Sequence, residues 1–269
     1  MRPPPPPRLL PPAEAMPREQ LRCQALVIAR RDVGEADRQV ILLTRDFGKL
    51  DALARGARRS HKRFLGCLEL FARIEALIEE GPRGRPALVE ASLLDAREGL
   101  RGSLLALAQA SYLCDLVDAL AGERDPAPGV YDLLAGTLER MERGPLRAAE
   151  LRAFEIRLLG AVGFAPALDA CVGCGEAGRA FRLDPERGGI VCSRCQASSR
   201  ARPLSPAVLV FLRELAAGRV PEPAARGTLG PARVLLSLLV DEHLSRPLPS
   251  RKFLEQVARE AAGEGGQGS

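Results

Sequence analysis

Leu70, Ala72, Ile74, Ala76 and Ile78 fall on one side of an alternating pattern, with Phe71, Arg73, Glu75, Leu77 and Glu79 on the other. That period of two predicts a strand with one buried face. Cys23–Arg30, Val40–Thr44, Leu50–Arg55 and Leu88–Leu93 are further short apolar, β-capable runs. Polar, Gly-containing segments separate them: Val33 to Asp37, Asp46-Phe47-Gly48-Lys49, and Gly81 to Pro86. Gly48 stands where a hairpin turn needs positive φ. Five strands within about 75 residues match a small closed barrel of the OB type over residues 21–95.

After residue 96 the period lengthens. Leu100, Leu104, Leu107, Leu113, Leu116, Val117 and Leu120 recur at three and four residues, which predicts a helix ending at Gly122 and the Pro126/Pro128 run. Val130–Arg143 and Arg147–Val162 predict two more. Ser205-Pro206 is a cap followed by proline at the first helical position, opening a helix over Val208–Ala217. Pro231–His243 and Ser250–Ala262 complete the set. The expected fold class is α+β and multidomain. A Pro-rich tail (1–20) precedes the barrel, and one helical unit is built from 96–168 and 201–262. A cysteine module (169–200) is inserted between its halves, and a Gly-rich end (263–269) follows.

The tail holds eight of the 22 prolines and favours extended polyproline conformations. Met16, just before the ordered pattern, is a second candidate start. The first residues lack the apolar stretch of a signal peptide, and the longest uncharged run, Gly102 to Cys114, is too short to span a bilayer. A cytoplasmic protein with no membrane association is expected.

The net charge of +5 is concentrated. Lys49, Arg55, Arg58, Arg59, Lys62 and Arg63 face a single acid, Asp51, within residues 49–63, and the remaining charges balance. A local patch on a connection between barrel strands points to a polyanion, because such loops commonly hold nucleic acid. The alternative is a solvated loop. Gly56 offers close backbone approach to a phosphate. Phe47 and Phe64 flank the patch as stacking candidates, although core positions suit both better. The 36 arginines against three lysines, Lys49, Lys62 and Lys252, reflect uniform usage and carry no functional signal.

Two C-x-x-C pairs, Cys171/Cys174 and Cys192/Cys195, are separated by seventeen residues. This is the spacing of a four-thiolate zinc site, in which each knuckle brings two sulfurs to one ion. Phe181–Asp184 and Gly188–Val191 read as a hairpin joining the knuckles, as in a zinc ribbon. Four thiolates leave no open position, so Zn2+ would be structural. Redox dithiols, an iron site and disulfides are the rivals; a thioredoxin-like site would sit in a βαβ setting, absent here. Cys23, Cys67 and Cys114 are scattered.

Only His61 and His243 are available for imidazole chemistry, and no nucleophile triad, His-Glu-x-x-His run, P-loop or dinucleotide fingerprint occurs. An enzyme is not expected. His243 falls at a predicted helix end, where a cation suits the dipole. Arg251 and Lys252 open the last helix, on a solvated face or against an acidic partner.

The run Gly34-Glu35-Ala36-Asp37-Arg38-Gln39-Val40, then Leu43-Thr44, Phe47-Gly48-Lys49 and Arg55-Gly56-Ala57-Arg58, resembles the N-terminal domain of the RecO family of DNA repair and recombination mediators. Gly163 to Leu168 leading into Cys171-x-x-Cys174-Gly175, and Leu248 to Leu254, fit the same family over roughly residues 21–260. The resemblance implies an N-terminal OB-fold, a helical domain and a zinc ribbon. It also implies binding of single- and double-stranded DNA, strand annealing, and work with RecR. With RecR, such proteins load RecA onto strands coated by the single-strand binding protein SSB, whose acidic C-terminal tail would dock on the helical domain. Carried onto this sequence, Lys49, Arg55, Arg58, Arg59, Lys62 and Arg63 become DNA contacts, and Cys171, Cys174, Cys192 and Cys195 metal ligands. Few aromatics and Arg-heavy usage in the DNA-facing segment favour phosphate contacts over stacking. The competing classes are a zinc-ribbon transcription or protein-interaction module without annealing activity, and a redox protein.

Overall fold

The computed structural model describes residues 20–60, 63–64, 66–80, 85–177, 181–195 and 197–264. The Pro-rich tail, the tip of the Gly81–Pro86 turn, His61 and Lys62 lie outside the described residues.

Five strands form the first unit: β1 (Gln20–Val33), β2 (Asp37–Thr44), β3 (Lys49–Ala54), β4 (Arg73–Glu80) and β5 (Pro86–Asp95). They close into a barrel in the order β1-β2-β3-β5-β4, with β4 returning to β1 and β3 meeting β5 in parallel. This closure removes the sheet edges. The interior is filled by small and branched side chains, among them Ala25, Val27, Val40, Leu42, Ile74 and Ile78.

The alternation that predicts β4 from Leu70 breaks at Phe71. Its backbone turns into the left-handed region (φ 73), and its N–H donates to Val27 O at 2.8 Å. The strand therefore starts at Arg73, and the Phe71 ring leaves the barrel interior. It joins Leu26, Ile28 and Leu43 in the core shared with the helices.

A 3₁₀ turn at Glu98–Gly102 precedes α1 (Leu104–Leu120), so the helix starts later than its leucine spacing suggests. The reason is Ser103, whose extended backbone and side chain cap the helix by accepting from Ala106 N at 3.3 Å. α2 (Pro128–Met141), α3 (Ala148–Ala161), α4 (Pro206–Ala216), α5 (Leu229–His243) and α6 (Pro249–Glu264) follow as expected within a few residues. α6 packs on α1, and α4 and α5 on α3, so both halves share one core. Among the described residues no helix is long and apolar enough to cross a membrane.

Between α3 and α4, β6 (Phe181–Asp184) and β7 (Gly189–Cys192) form the expected hairpin. A third strand, β8 (Arg202–Leu204), pairs with β6, so the ribbon's sheet runs beyond residue 200. Proline at its centre conceals this strand from a propensity reading. Leu183, Ile190 and Val191 are buried in the helical core, so the ribbon is seated on the helices.

Candidate nucleic-acid interface and metal centre

β3 delivers the chain at Ala54 into the basic loop. Gly56 takes a left-handed conformation (φ 66) that turns the backbone, and Arg59 N–H then donates to Gly56 O at 3.1 Å. The loop is anchored from below. Phe64 is a core residue, and Arg63 O accepts from Ala91 N–H on β5 at 3.1 Å. Phe64 therefore fills the barrel and is not a stacking platform; Phe47 packs half-buried against the same core. Arg63 lies over the Phe64 ring, 5.2 Å from its centre.

Arg55, Arg58, Arg59 and Arg63 are all exposed. The β1–β2 hairpin lies alongside. Ala36 O accepts from Arg58 N–H at 3.0 Å, and the Asp37 carboxylate accepts from Gly56 N–H at 2.8 Å. Two hairpin acids face the arginines. Asp32 is 3.6 Å from Arg58 and Glu35 is 3.1 Å from Arg59. The Arg38 hydrogen bond to Asp32, helped by Arg58 and Arg30, holds that carboxyl below the usual range. Asp32, Glu35 and Asp37 escape a sequence reading because they lie on a different turn from the loop they hold.

Lys49 has another place. Its side chain is 11% exposed, and its ammonium lies 3.3 Å from Asp118 Oδ1 on α1. It faces the helical domain and stands apart from the four exposed arginines.

The four cysteines converge. Their sulfurs lie within 4.8 Å of one another, and Cys174 Sγ to Cys192 Sγ is 3.7 Å. A tetrahedral ion with metal–sulfur bonds of about 2.3 Å places its ligands about 3.8 Å apart, so the set fits a metal of that size. The knuckles are built for sulfur. Cys192 N–H at 3.3 Å and Gly173 N–H at 3.4 Å both donate to Cys171 Sγ. These amides, Cys192 first, draw the Cys171 thiol down to about 6, whereas the neighbouring sulfurs, Cys174 first, push Cys195 up to about 12. A Cβ at Gly173 would stand 2.9 Å from Cys195 Sγ, so only glycine fits the first knuckle. Cys23, Cys67 and Cys114 are buried thiols distant in sequence from the cluster, and burial raises the pKa of each.

The helical domain carries a groove of about 710 Å³ between α1, α3, α5 and α6. Arg152, Arg233, Arg251 and Arg259 line it together with Leu151, Leu254, Glu155 and Glu255, and Glu155 pairs with Arg152 at 2.9 Å. Arg251 is not on a solvated face. Its guanidinium turns into the groove and pairs with Asp241 at 2.5 Å, while Lys252 is exposed. Behind it Tyr112 O–H donates to Glu155 Oε1 at 2.7 Å, and burial raises the pKa of both groups. His243 ends α5 as expected, with its ring stacked 3.9 Å from that of Phe164.

Barrel, basic loop, helical domain and four-sulfur ribbon define a class: an OB-barrel protein with an exposed cationic loop and a four-cysteine cluster that could hold a metal ion. Residues 16–97 match the family model described as Recombination protein O N terminal, and residues 101–252 the one described as Recombination protein O C terminal. The DNA repair protein RecO of Anaeromyxobacter sp. (strain Fw109-5) is 38% identical over 251 residues, covering 89% of this chain and 97% of the relative. That of Pelobacter propionicus is 37% identical over 252 residues, covering 89% and 98%. That of Geobacter sulfurreducens is 36% identical over 251 residues, covering 88% and 98%. The chain belongs to the recombination protein O (RecO) family.

Proposed function

We propose that this protein is a non-enzymatic DNA-repair recombination mediator of the cytoplasm, acting by phosphate neutralisation at the barrel. The observation that carries this reading is the exposed set Arg55, Arg58, Arg59 and Arg63 on one loop of an OB barrel. Guanidinium forks bind phosphate in two-pronged fashion, and each phosphate neutralised releases counterions. Lys62 belongs to the same run. Lys49 contributes by fixing the barrel against α1. With two backbones lowered in charge on one surface, complementary single strands pair, and duplex is held in the same way.

The family resemblance supplies the partners: RecR, and SSB through its acidic tail, with loading of RecA as the outcome. The arginine-lined groove on the helical domain suits that tail, since it offers cations beside an apolar floor. The cysteine cluster holds one Zn2+, which cross-links the ribbon and has no open position for catalysis.

The test is fluorescence anisotropy of labelled single- and double-stranded oligonucleotides at several salt concentrations, with an annealing assay on complementary strands. Wild type should bind with a log–log salt slope of about −0.7 per phosphate on single strands. Replacing Arg55, Arg58, Arg59, Lys62 and Arg63 by Ala should flatten that slope and abolish annealing. No binding by folded, metal-loaded protein would remove this reading and favour a protein-interaction module.

A further inference from the structure

Two of the loop's arginines already hold a partner. Arg58 donates to Gly34 O at 3.2 Å, and its Nε sits 3.6 Å from Asp32 Oδ2. Arg59 Nη2 donates to Glu35 Oε2 at 3.1 Å. Arg38 Nε occupies the other Asp32 oxygen at 2.9 Å. The Glu35 side chain is 91% exposed and Asp32 is 48% exposed, so neither carboxylate is required by packing. Exposed pairs of this kind contribute little to stability. What they do is offer a carboxylate to guanidinium groups that take a phosphate in the same fork geometry.

We propose that Asp32 and Glu35 are affinity-setting residues: they stand in for phosphate on Arg58 and Arg59 in the free protein and are displaced when DNA binds. The proposal rests on the basic loop being the DNA site. Two consequences follow from charge. Binding at Arg58 and Arg59 becomes an exchange of anions, so it is weaker than the loop's positive charge implies. Displaced Glu35 also takes up a cation from solution, whereas Asp32 keeps Arg38, so the ions released from DNA are offset chiefly at Glu35 and the salt dependence is flattened. A strand held by exchange leaves readily, and repeated release and capture is what lets two strands find their register.

The test uses the whole, metal-loaded chain and labelled oligo-dT, by anisotropy across a salt series. The variants are Glu35→Gln, Asp32→Asn/Glu35→Gln, Arg58→Ala/Arg59→Ala, and the four substitutions together. The amide side chains keep size and shape, and circular dichroism checks folding. The acid-neutralised double variant should bind about three- to tenfold more tightly at low salt, with a slope steeper by up to about one. Glu35→Gln alone should give part of the gain. The gain should vanish when Arg58 and Arg59 are absent, because the two pairs then have no coupling left to lose. A gain that persists without the arginines would mean general field relief and would overturn the exchange. So would wild-type affinity and slope in the acid variant while Arg58→Ala/Arg59→Ala binds weakly; the DNA site itself would then stand. Unchanged binding in the arginine variant would overturn both.

Discussion

Lys49 and Asp118 join the two domains. The ammonium at the start of β3 lies 3.3 Å from the carboxylate on α1, and it also donates to the Asp118 carbonyl. Around it Arg124 N–H donates to Lys49 O at 2.9 Å, and Arg246 donates to Asp118 Oδ2 at 2.9 Å. Arg45 on the β2–β3 turn pairs with Asp132 on α2 at 3.0 Å. The barrel is thus held in one orientation on the helices.

Breaking that tie should cost stability and leave DNA contacts intact. Lys49→Ala leaves Asp118 with Arg246 as its remaining ion pair and removes the ammonium that also bonds the Asp118 carbonyl, a loss of about 1–3 kcal/mol. Chemical denaturation should show a lowered midpoint. The salt slope for single-stranded DNA, measured on folded protein, should match wild type. A flattened slope would return Lys49 to the DNA surface.

Glycines 34 and 48 separate conformational strain from collision. Both have positive φ, yet a Cβ at Gly34 meets nothing within 4 Å, whereas one at Gly48 would stand 2.2 Å from Asp125 O. Gly34→Ala should cost about 1–2 kcal/mol, the left-handed penalty alone. Gly48→Ala should cost more than twice that, because the β2–β3 turn must move off the α1–α2 connection. Equal losses by urea denaturation would contradict the close approach.

Glu150 gives stability a pH dependence of known sign. Burial raises its pKa, but Arg147 N–H at 2.7 Å and the Arg147 and Arg140 guanidinium groups outweigh that and leave it below 4.5. A folded-state pKa below the unfolded value stabilises the fold above the unfolded pKa. That contribution is lost as pH falls through the lower, folded value. Glu150→Gln should therefore lose about 1–2 kcal/mol at pH 7. The gap to wild type should close as pH falls below about 4.5. A gap independent of pH would show that the carboxylate charge is not what caps α3.

Metal removal should act on the ribbon first and on the helices through it. Elemental analysis should return one zinc per chain, and Cys171→Ser or Cys192→Ser should lower that content. Zinc binding to such modules is worth about 10–16 kcal/mol, far more than a three-stranded sheet of this size supplies. Hydrogen exchange after chelation should show lost protection across β6–β8. Thermal stability of the helices should fall too, because Leu183, Ile190 and Val191 are buried among them. Protein that keeps its ribbon protected after complete metal loss would refute a structural zinc.

Features that depend on near neighbours are legible along the chain. Alternation marked β4, short apolar runs between turns marked the other barrel strands, three-and-four spacing marked α1, caps and Gly/Pro stops helped mark the later helices, and C-x-x-C pairs marked a four-thiolate knuckle set. Each is local because backbone periodicity and chelate reach act over a few residues. Which side chains face one another emerges only in the folded chain. Arg59 and Glu35 are 24 residues apart, and Lys49 and Asp118 are 69 apart. Identical charge in sequence became an interdomain tie at Lys49 and exposed guanidinium groups beside hairpin carboxylates at Arg58 and Arg59. Phe64 became core where a base platform was also open to it, and Arg251 turned into a groove where its position suggested a solvated face. The physical reason is that charge and burial are set by whichever surface the closed barrel and the packed helices bring alongside a side chain. No window of consecutive residues contains that surface.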